Sequence, residues 1–509
     1  MSAVRGRRTP MQVVVATGAV LLLLTACGTT VNGATQAPAA AAMGGGAANG
    51  LGAPDAAVPG AVTPATGGGP AGVAPVVGGT ATAPGAVAAT AAPAASGTAA
   101  VGAAPSRGPV KVGMIYTYND DAAASAGVNN GNTFTPKAAF EAMVKAYNAR
   151  GGVGGRKIVP VEVQLSSNST SLQSDLQAAC DKFVQDEHVA VVLMSIGLFS
   201  EAFTQCLEKA DIPQLSGDYA LGDVTSVSRI PSFFATTTVD VDDRETVLLD
   251  RMTSLGRIKS TDKLGVVVEG CPFDQRAYTH TVEPLAKRLN VPVAQKVETR
   301  CFESIGDLGG LGSDMQNAVL KFQTNGITHV LFVSGSVEGN AMFLFATAAE
   351  AQTYRPKYLL TSVAIPTVQE ANTPKAQLAN AAGVGWLPSL DSSRTGLTSP
   401  AGKRCLADMK SGAGITPVSP VDRYTAGSAC DLFALYDAAL RASGGMTTAG
   451  AIRSAVSGLG AGFASAAAYD GVTDFRGGRQ TGVARGRVFA WSTGCACFDY
   501  TGSPFAMSG

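Results

Sequence analysis

From Val110 onward the chain alternates apolar runs with amphipathic stretches, and that alternation predicts its elements. The run over 110–116 reads as a buried strand. After a polar loop, Thr135 caps and Pro136 opens a helix over 136–150, in which Ala139, Phe140, Met143 and Tyr147 share one face and Gly151 and Gly152 end it. A strand over 158–163, a helix over 171–186, a strand over 189–194, a helix over 200–210 and a short strand over 213–215 keep the rhythm. A second run follows with strand 264–268, helix 274–289 and strand 291–297. It goes on to a helix over 314–325 opened by a Ser313-x-x-Gln316 capping box, then strand 329–333, helix 339–351 and strand 358–361. Repeated strand-helix units imply parallel sheets, so the expected fold is α/β with two doubly wound parallel-sheet lobes. Helices near 426–442 and 448–459 and a final strand near 488–491 must be shared between them. The expected division is 109–238 in the first lobe, 239–362 in the second, 363–480 mainly in the first and 481–509 mainly in the second.

Upstream the texture changes. From Gly28 to Arg107 the sequence is almost entirely Ala, Gly, Pro, Thr and Val, with Asp55 and Arg107 its only charges. Such small side chains bury too little area to offset ordering entropy, so 28–108 is expected to be a disordered tether with a reach on the order of 50 Å. The first 27 residues read as an export signal: Arg5, Arg7 and Arg8 form a positive n-region, and the apolar stretch from Met11 to Leu24 is short for a membrane span. Leu24-Thr25-Ala26-Cys27 resembles the bacterial lipobox, in which the Cys thiol and then its freed amine are acylated. Lipidation at Cys27 implies a chain anchored to the bilayer of the cell membrane on its extracytoplasmic face, by several acyl groups where one would hold only marginally.

Charge and cysteine narrow the classes further. Setting aside Arg5, Arg7, Arg8, Arg107 and Asp55, the folded part is about three charges acidic. The clustered basic surplus that phosphate binding requires is missing, and no nucleic-acid partner is expected. Eight cysteines remain besides Cys27: Cys180, Cys206, Cys271, Cys301, Cys405, Cys430, Cys495 and Cys497. In an exported chain an even set reads as a disulfide framework. Sequence neighbours are the expected partners, Cys180 with Cys206, Cys271 with Cys301 and Cys405 with Cys430, while Cys495-x-Cys497 stays open because so small a ring is strained.

The stretch AAFEAMVKAYNARGGVGGRKIVPVEVQL (138–165) carries Asn148, Gly151, Gly152, Gly155, Arg156 and Lys157 in an Asn-x-x-Gly-Gly-x-x-Gly-Arg-Lys pattern. It resembles the type 1 periplasmic-binding family, in its branched-chain amino-acid ABC transporter substrate-binding lipoprotein branch. KLGVVVEGCPFDQRAYTHTVEPLAKRLNV, ITHVLFVSGSVEGNAMFLFATAAEA and ACDLFALYDAALRASGG are similar to that family in the same order. Cys180 and Cys206 also resemble a disulfide of that branch. The resemblance spans nearly all of 109–509 and implies two lobes joined by three hinge crossings, closing on a ligand between them. It departs where specificity is set: a turn commonly Tyr-Gly is Phe273-Asp274 beside Cys271 here, so a branched-chain amino acid is not carried over as the ligand.

Elementary chemistry points to the same cleft. In open parallel sheets, ligands sit beyond the carboxyl ends of strands, where helix N-termini present free N–H groups. The loop Ser195-Ile196-Gly197-Leu198-Phe199-Ser200 leads from strand to helix in this way, and Ser216, Asp218 and Tyr219 follow the next strand. Tyr116 and Tyr118 come from the first strand, and Phe273, Asp274, Ser334, Ser336 and Glu338 from the opposing lobe. A zwitterion needs donors for its carboxylate and an acid or ring for its ammonium, and these residues supply both.

Enzymatic constellations fit less well. Ser260-x-x-Lys263 with Lys410-Ser411-Gly412 superficially resembles penicillin-binding enzymes, but Ser260 precedes a strand instead of opening a helix. Cys271 with His280 could describe a thiol and its base, yet a disulfide to Cys301 accounts for the cysteine. His188, His280 and His329 lack metal spacing, and 151–155 follows a helix, unlike a phosphate loop. The expected function is capture of a small polar solute, an amino acid, amide or related compound, and its delivery to an ABC-type permease, without catalysis, cofactor or metal. A sensor lipoprotein of the same fold is the alternative, and an exported serine or cysteine hydrolase a third.

Overall fold

The computed structural model describes residues 108–118, 131–166, 169, 171–302, 307–336 and 338–507, all within one compact unit. The expected signal, Cys27 and the tether lie outside the described residues.

Five strands form the first sheet: β1 (Val110–Tyr118), β2 (Ile158–Ser166), β3 (Val192–Ser195), β4 (Gln214–Ser216) and β5 (Phe233–Ala235), ordered β2-β1-β3-β4-β5 and parallel throughout. Alternate side chains of a strand point to opposite faces. Val112, Met114, Leu193, Leu215 and Phe234 therefore share one core with the helices Pro136–Ala149, Pro400–Ala413, Pro420–Ala442 and Ala449–Leu459. Ile115, Val192, Met194 and Phe233 share the other with the helices Leu172–Asp181 and Glu201–Lys209.

The second sheet holds β6 (Leu264–Val268), β7 (Val293–Glu298), β8 (His329–Val333), β9 (Lys357–Thr361), β10 (Ala382–Gly385), β11 (Arg485–Ser492) and β12 (Cys497–Ala506), ordered β12-β11-β10-β9-β8-β6-β7. It is parallel from β7 to β10, and β11 and β12 run antiparallel at its edge. Leu331 and Val333 pack toward the helix Val241–Ser254, while Val330 and Phe332 pack toward Leu308–Thr324 and Glu338–Ala351. Both sheets are thus covered on two faces, the α/β doubly wound arrangement that the strand-helix rhythm predicts.

Three passages of chain join the two. One leaves β5 for the helix Val241–Ser254, a second leaves β10 for Pro400–Ala413, and a third leaves Ala449–Leu459, passes Tyr469 and then Gln480–Gly482, which is bonded to Ala235, and enters β11. Trp386, fully buried, ties all three: its Nε1 donates to the Thr237 carbonyl at 3.0 Å and its own carbonyl accepts from the Tyr469 N–H at 2.9 Å.

Three readings of the sequence are corrected. The Ser313 capping box does not open its helix, which starts five residues earlier at Leu308; Ser313 Oγ donates to the Gly309 carbonyl inside it. The glycines at 309, 310 and 312 hide that first turn; a Cβ on Gly310 would lie 2.0 Å from the Arg300 guanidinium, which is paired with Asp314 and would have to move aside. The second crossing falls after β10 instead of near 363, since the short Ala-Gly-Val-Gly strand carries no apolar run to mark it. The strand near 488–491 is not the last: it turns back through Cys495–Cys497 into β12.

Disulfides close Cys180–Cys206, Cys271–Cys301, Cys405–Cys430 and Cys495–Cys497. Among the described residues no helix is long and apolar enough to cross a membrane.

Candidate functional site

The carboxyl ends of the two sheets meet. Beyond β4, the Leu221 N–H donates to the Gly335 carbonyl just past β8, at 3.1 Å. A Cβ on Gly335 would fall 2.7 Å from both the Leu221 oxygen and the Phe273 ring, so only glycine permits this approach. Phe199, after β3, meets Phe273, after β6, edge to face at 5.8 Å. Beside them Arg276 makes a two-pronged contact with Asp223, at 2.8 and 2.9 Å, and also donates to Ser226 Oγ. Loops of the first sheet and the helix Pro272–Ala277 of the second thus form one contact zone.

On the first-sheet side Asp218 is buried, accepts from the Gly197 N–H at 2.8 Å and contacts the Ser216 hydroxyl. Burial pushes its carboxyl up to about 6. Tyr219 is half-buried against Tyr424, ring centres 5.9 Å apart, and burial lifts its hydroxyl to about 12. Ser195 ends β3 and Leu198 packs on the core beside Phe199. Ser200 is committed locally: its Oγ caps the helix Glu201–Lys209 by accepting from the Phe203 N–H.

The second-sheet side holds a dense charge cluster around Arg244. Its Nε donates to Glu245 at 3.0 Å and its Nη2 to the Ser334 carbonyl at 2.7 Å, with both Arg244 and Glu245 at 0% exposure. Glu269, one residue past β6, accepts from Ser334 Oγ at 2.6 Å. Asp274 accepts from the Gly335 N–H at 2.7 Å, and Glu338 from the N–H and hydroxyl of Thr361 at the end of β9. The Ser336 N–H donates to Ser334 Oγ. Four carboxyls around one guanidinium cannot all stay ionised in so dry a place. Burial pushes Glu269 up to about 7 and Glu245 to about 8, holds Asp274 well above its ordinary value and raises Glu338 as well. Arg244 Nη1, Glu245 Oε2 and Asp274 Oδ2 are buried without a hydrogen-bond partner.

Of the residues singled out by sequence, Phe199, Phe273, Asp274, Ser334 and Ser336 converge on this zone. Ser216, Asp218 and Tyr219 flank it, and Glu338 is reached through Arg244. Tyr116 lies elsewhere: it is buried against Phe140 in the first-sheet core and donates to Glu162 at 2.9 Å. Tyr118 ends β1 and its side chain is outside the described residues. Sequence reasoning missed Arg244, Glu245, Glu269, Asp223 and Arg276. A signal for the first two was present: Val241, Leu248, Leu249 and Met252 mark the buried stripe of their helix, and Arg244 and Glu245 occupy the same stripe. Charged residues at core-facing positions announce a buried cluster.

The titration of such groups has a measurable sign. Burial also lifts Asp391 and Asp431 to about 7. The folded chain therefore holds protons that an unfolded chain, with carboxyls near about 4, has released. The stability contributed by these protonated groups is complete below the unfolded values and is lost as pH rises through about 6 to 8. Asp223 and Asp422 are shifted downward, by Arg276 and by backbone N–H groups respectively, so their contribution fails only in acid, below this window. The melting temperature is expected to fall by several degrees between about pH 5.5 and about pH 8.5; a flat or rising curve would refute the buried-acid account.

The sequence of residues 109–496 matches the model of the periplasmic binding protein family. The chain belongs to that family. No curated protein matches it by sequence. Among solved structures, this periplasmic binding protein is similar to a solute binding protein of an ABC transporter from Rhodopseudomonas palustris HaA2 in complex with p-hydroxybenzoic acid. That likeness has a TM-score of 0.58 and 13% identity, over 79% of this chain and 98% of that one. It is also similar to an ABC transporter substrate-binding protein from Desulfitobacterium hafniense in complex with Leu, at TM-score 0.51 and 13% identity, over 77% and 100% of the two chains. At these identities the likeness is one of fold.

Proposed function

We propose that this periplasmic binding protein captures a small polar solute between its two lobes and hands it to an ABC-type permease, held outside the membrane by acylated Cys27 and the 28–108 tether. The observation that carries the reading is the meeting of the strands' carboxyl ends around the buried polar atoms of Arg244, Glu245 and Asp274, which find no hydrogen-bond partner among the described residues. The fold's solved relatives, with p-hydroxybenzoate and Leu bound, support a carboxylate-bearing guest. Arg244 and the loops after β3 and β4 supply donors for an anionic group; Asp274 and Glu245 supply acceptors for an ammonium or amide. Phe199, Phe273 and Tyr219 supply apolar walls. An amino acid or amide satisfies all three, and solute binding shifts the lobes toward the closed arrangement.

Arg276 is the latch of that closure, since it joins a second-sheet helix to Asp223 of the first-sheet lobe. A charge-assisted pair of this kind contributes about 1.5 kcal/mol, so Arg276→Ala should weaken solute binding about tenfold. A thermal-shift screen of amino acids, amides, polyamines, sugars and aromatic acids identifies the class, because a ligand at a hundred times its Kd stabilises by about 2.7 kcal/mol. The reading fails if no solute raises the melting temperature, or if the active ones act equally on an Asp274→Asn variant.

A further inference from the structure

A cavity of about 460 Å³ opens where the lobes are joined and shares no lining residue with the contact zone described above. Its walls come from both sides of the junction. Ser389 and Arg394 to Pro400, on the passage leaving β10, and Ala466 to Gly471 form one part; Arg487 of β11 and Tyr500 of β12 form the other. Leu397 and Ala466 belong to the first-sheet core, whereas Arg487 and Tyr500 stand on the second sheet.

Three features point to an occupant. Arg487 is half-buried, and among the described residues its partners are all neutral: Nε donates to the Gly502 carbonyl at 2.9 Å, Nη1 reaches the Tyr469 hydroxyl at 3.4 Å, and the guanidinium lies over the Tyr500 ring at 5.6 Å. A half-buried cation with neutral neighbours favours an anion beside it. Ser389 lines the same cavity at 3% exposure, and its Oγ has no hydrogen-bond partner. Finally, the N-terminus of the 14-residue helix Pro400–Ala413, capped by Ser399, faces this space with its positive dipole end. Arg394 at the rim is 64% exposed and paired with Asp499, and the rim acid Asp470 is paired with Arg485, so the interior charge is that of Arg487.

From this arrangement we infer a second ligand site, for a small organic carboxylate, formed by Arg487, Ser389 and the start of the helix Pro400–Ala413. The volume admits a molecule of amino-acid to dicarboxylate size, and the alanine and proline walls suit a short apolar body. An occupant touches both lobes at their junction, so it biases their opening without entering the cleft.

Titration calorimetry of the full chain with succinate tests the site, with neutral succinamide as control. Succinate should bind and succinamide should not. Arg487→Gln should weaken succinate at least tenfold and Ser389→Ala about threefold, with Asp274→Asn leaving it unchanged. Ser389→Ala removes a single oxygen and keeps the test alive if Arg487→Gln misfolds. Absence of succinate binding, equal binding of succinamide, or loss in Asp274→Asn with retention in Arg487→Gln would each overturn the proposal. Solute capture in the main cleft is read separately by the thermal-shift screen, so failure of either reading is distinguishable from failure of the other.

Discussion

Replacing Arg244 with Met should cost the fold about 3–5 kcal/mol, the usual penalty for removing one partner of a buried ion pair. Among the described residues the guanidinium is the one cation beside Glu245, Glu269, Asp274 and Glu338, and it also donates to the Ser334 carbonyl. Without it, Glu245 loses a 3.0 Å ion pair in a fully buried position and the carbonyl loses its donor. Two outcomes follow at neutral pH: a lower urea midpoint with unchanged m-value, and a stronger dependence of stability on pH, because the remaining acids must then bind protons to stay buried. Pairing the change with Glu245→Gln should restore part of the loss, since the amide stays neutral without having to take up a proton on folding. A single variant as stable as the parent would show that the cluster is hydrated and not dry.

Trp386→Ala should be similarly damaging, at about 3–5 kcal/mol for deleting a fully buried indole. Its ring packs in the second-sheet core, and its polar atoms link the passages at Thr237 and Tyr469. Trp386→Phe keeps most of the apolar contact and should cost less, with about 1 kcal/mol of it from the lost bond to Thr237. The comparison is read by equilibrium unfolding. If Ala and Phe cost the same, the indole ring contributes nothing beyond its hydrogen bond, and the junction is not held by packing.

The strand-helix rhythm made the architecture legible because each unit carries its own signature: continuous apolar runs for β1, β6 and β8, and capped helices with one apolar face between them. Elements defined by their surroundings were not legible. β10 is four residues long with two glycines, and it is a strand because it lies between β9 and β11. The helix from Leu308 survives three glycines because Leu311, Met315, Val319 and Phe322 lock it to the second-sheet core. The cleft was partly legible for the same reason. Loops at strand ends can be located from periodicity, which brought out Phe199, Asp218, Phe273 and Asp274. Which of them face a partner lobe depends on long-range contacts such as Leu221 with Gly335, and Tyr116, with identical strand-end credentials, proved to point into a core.

The order of the elements along the chain also governs how it can be made. The first sheet is complete by Ala235, yet the face bearing Val112, Met114 and Leu193 is covered by Pro400–Ala413 and Pro420–Ala442, synthesised about 165 residues later. Until those helices emerge, Pro136–Ala149 covers only part of that face, and a truncated chain ending near residue 360 lacks the two long helices that bury the rest. Such a fragment belongs with chaperones or aggregates, and the carboxyl-terminal helices must be made before the first sheet can settle.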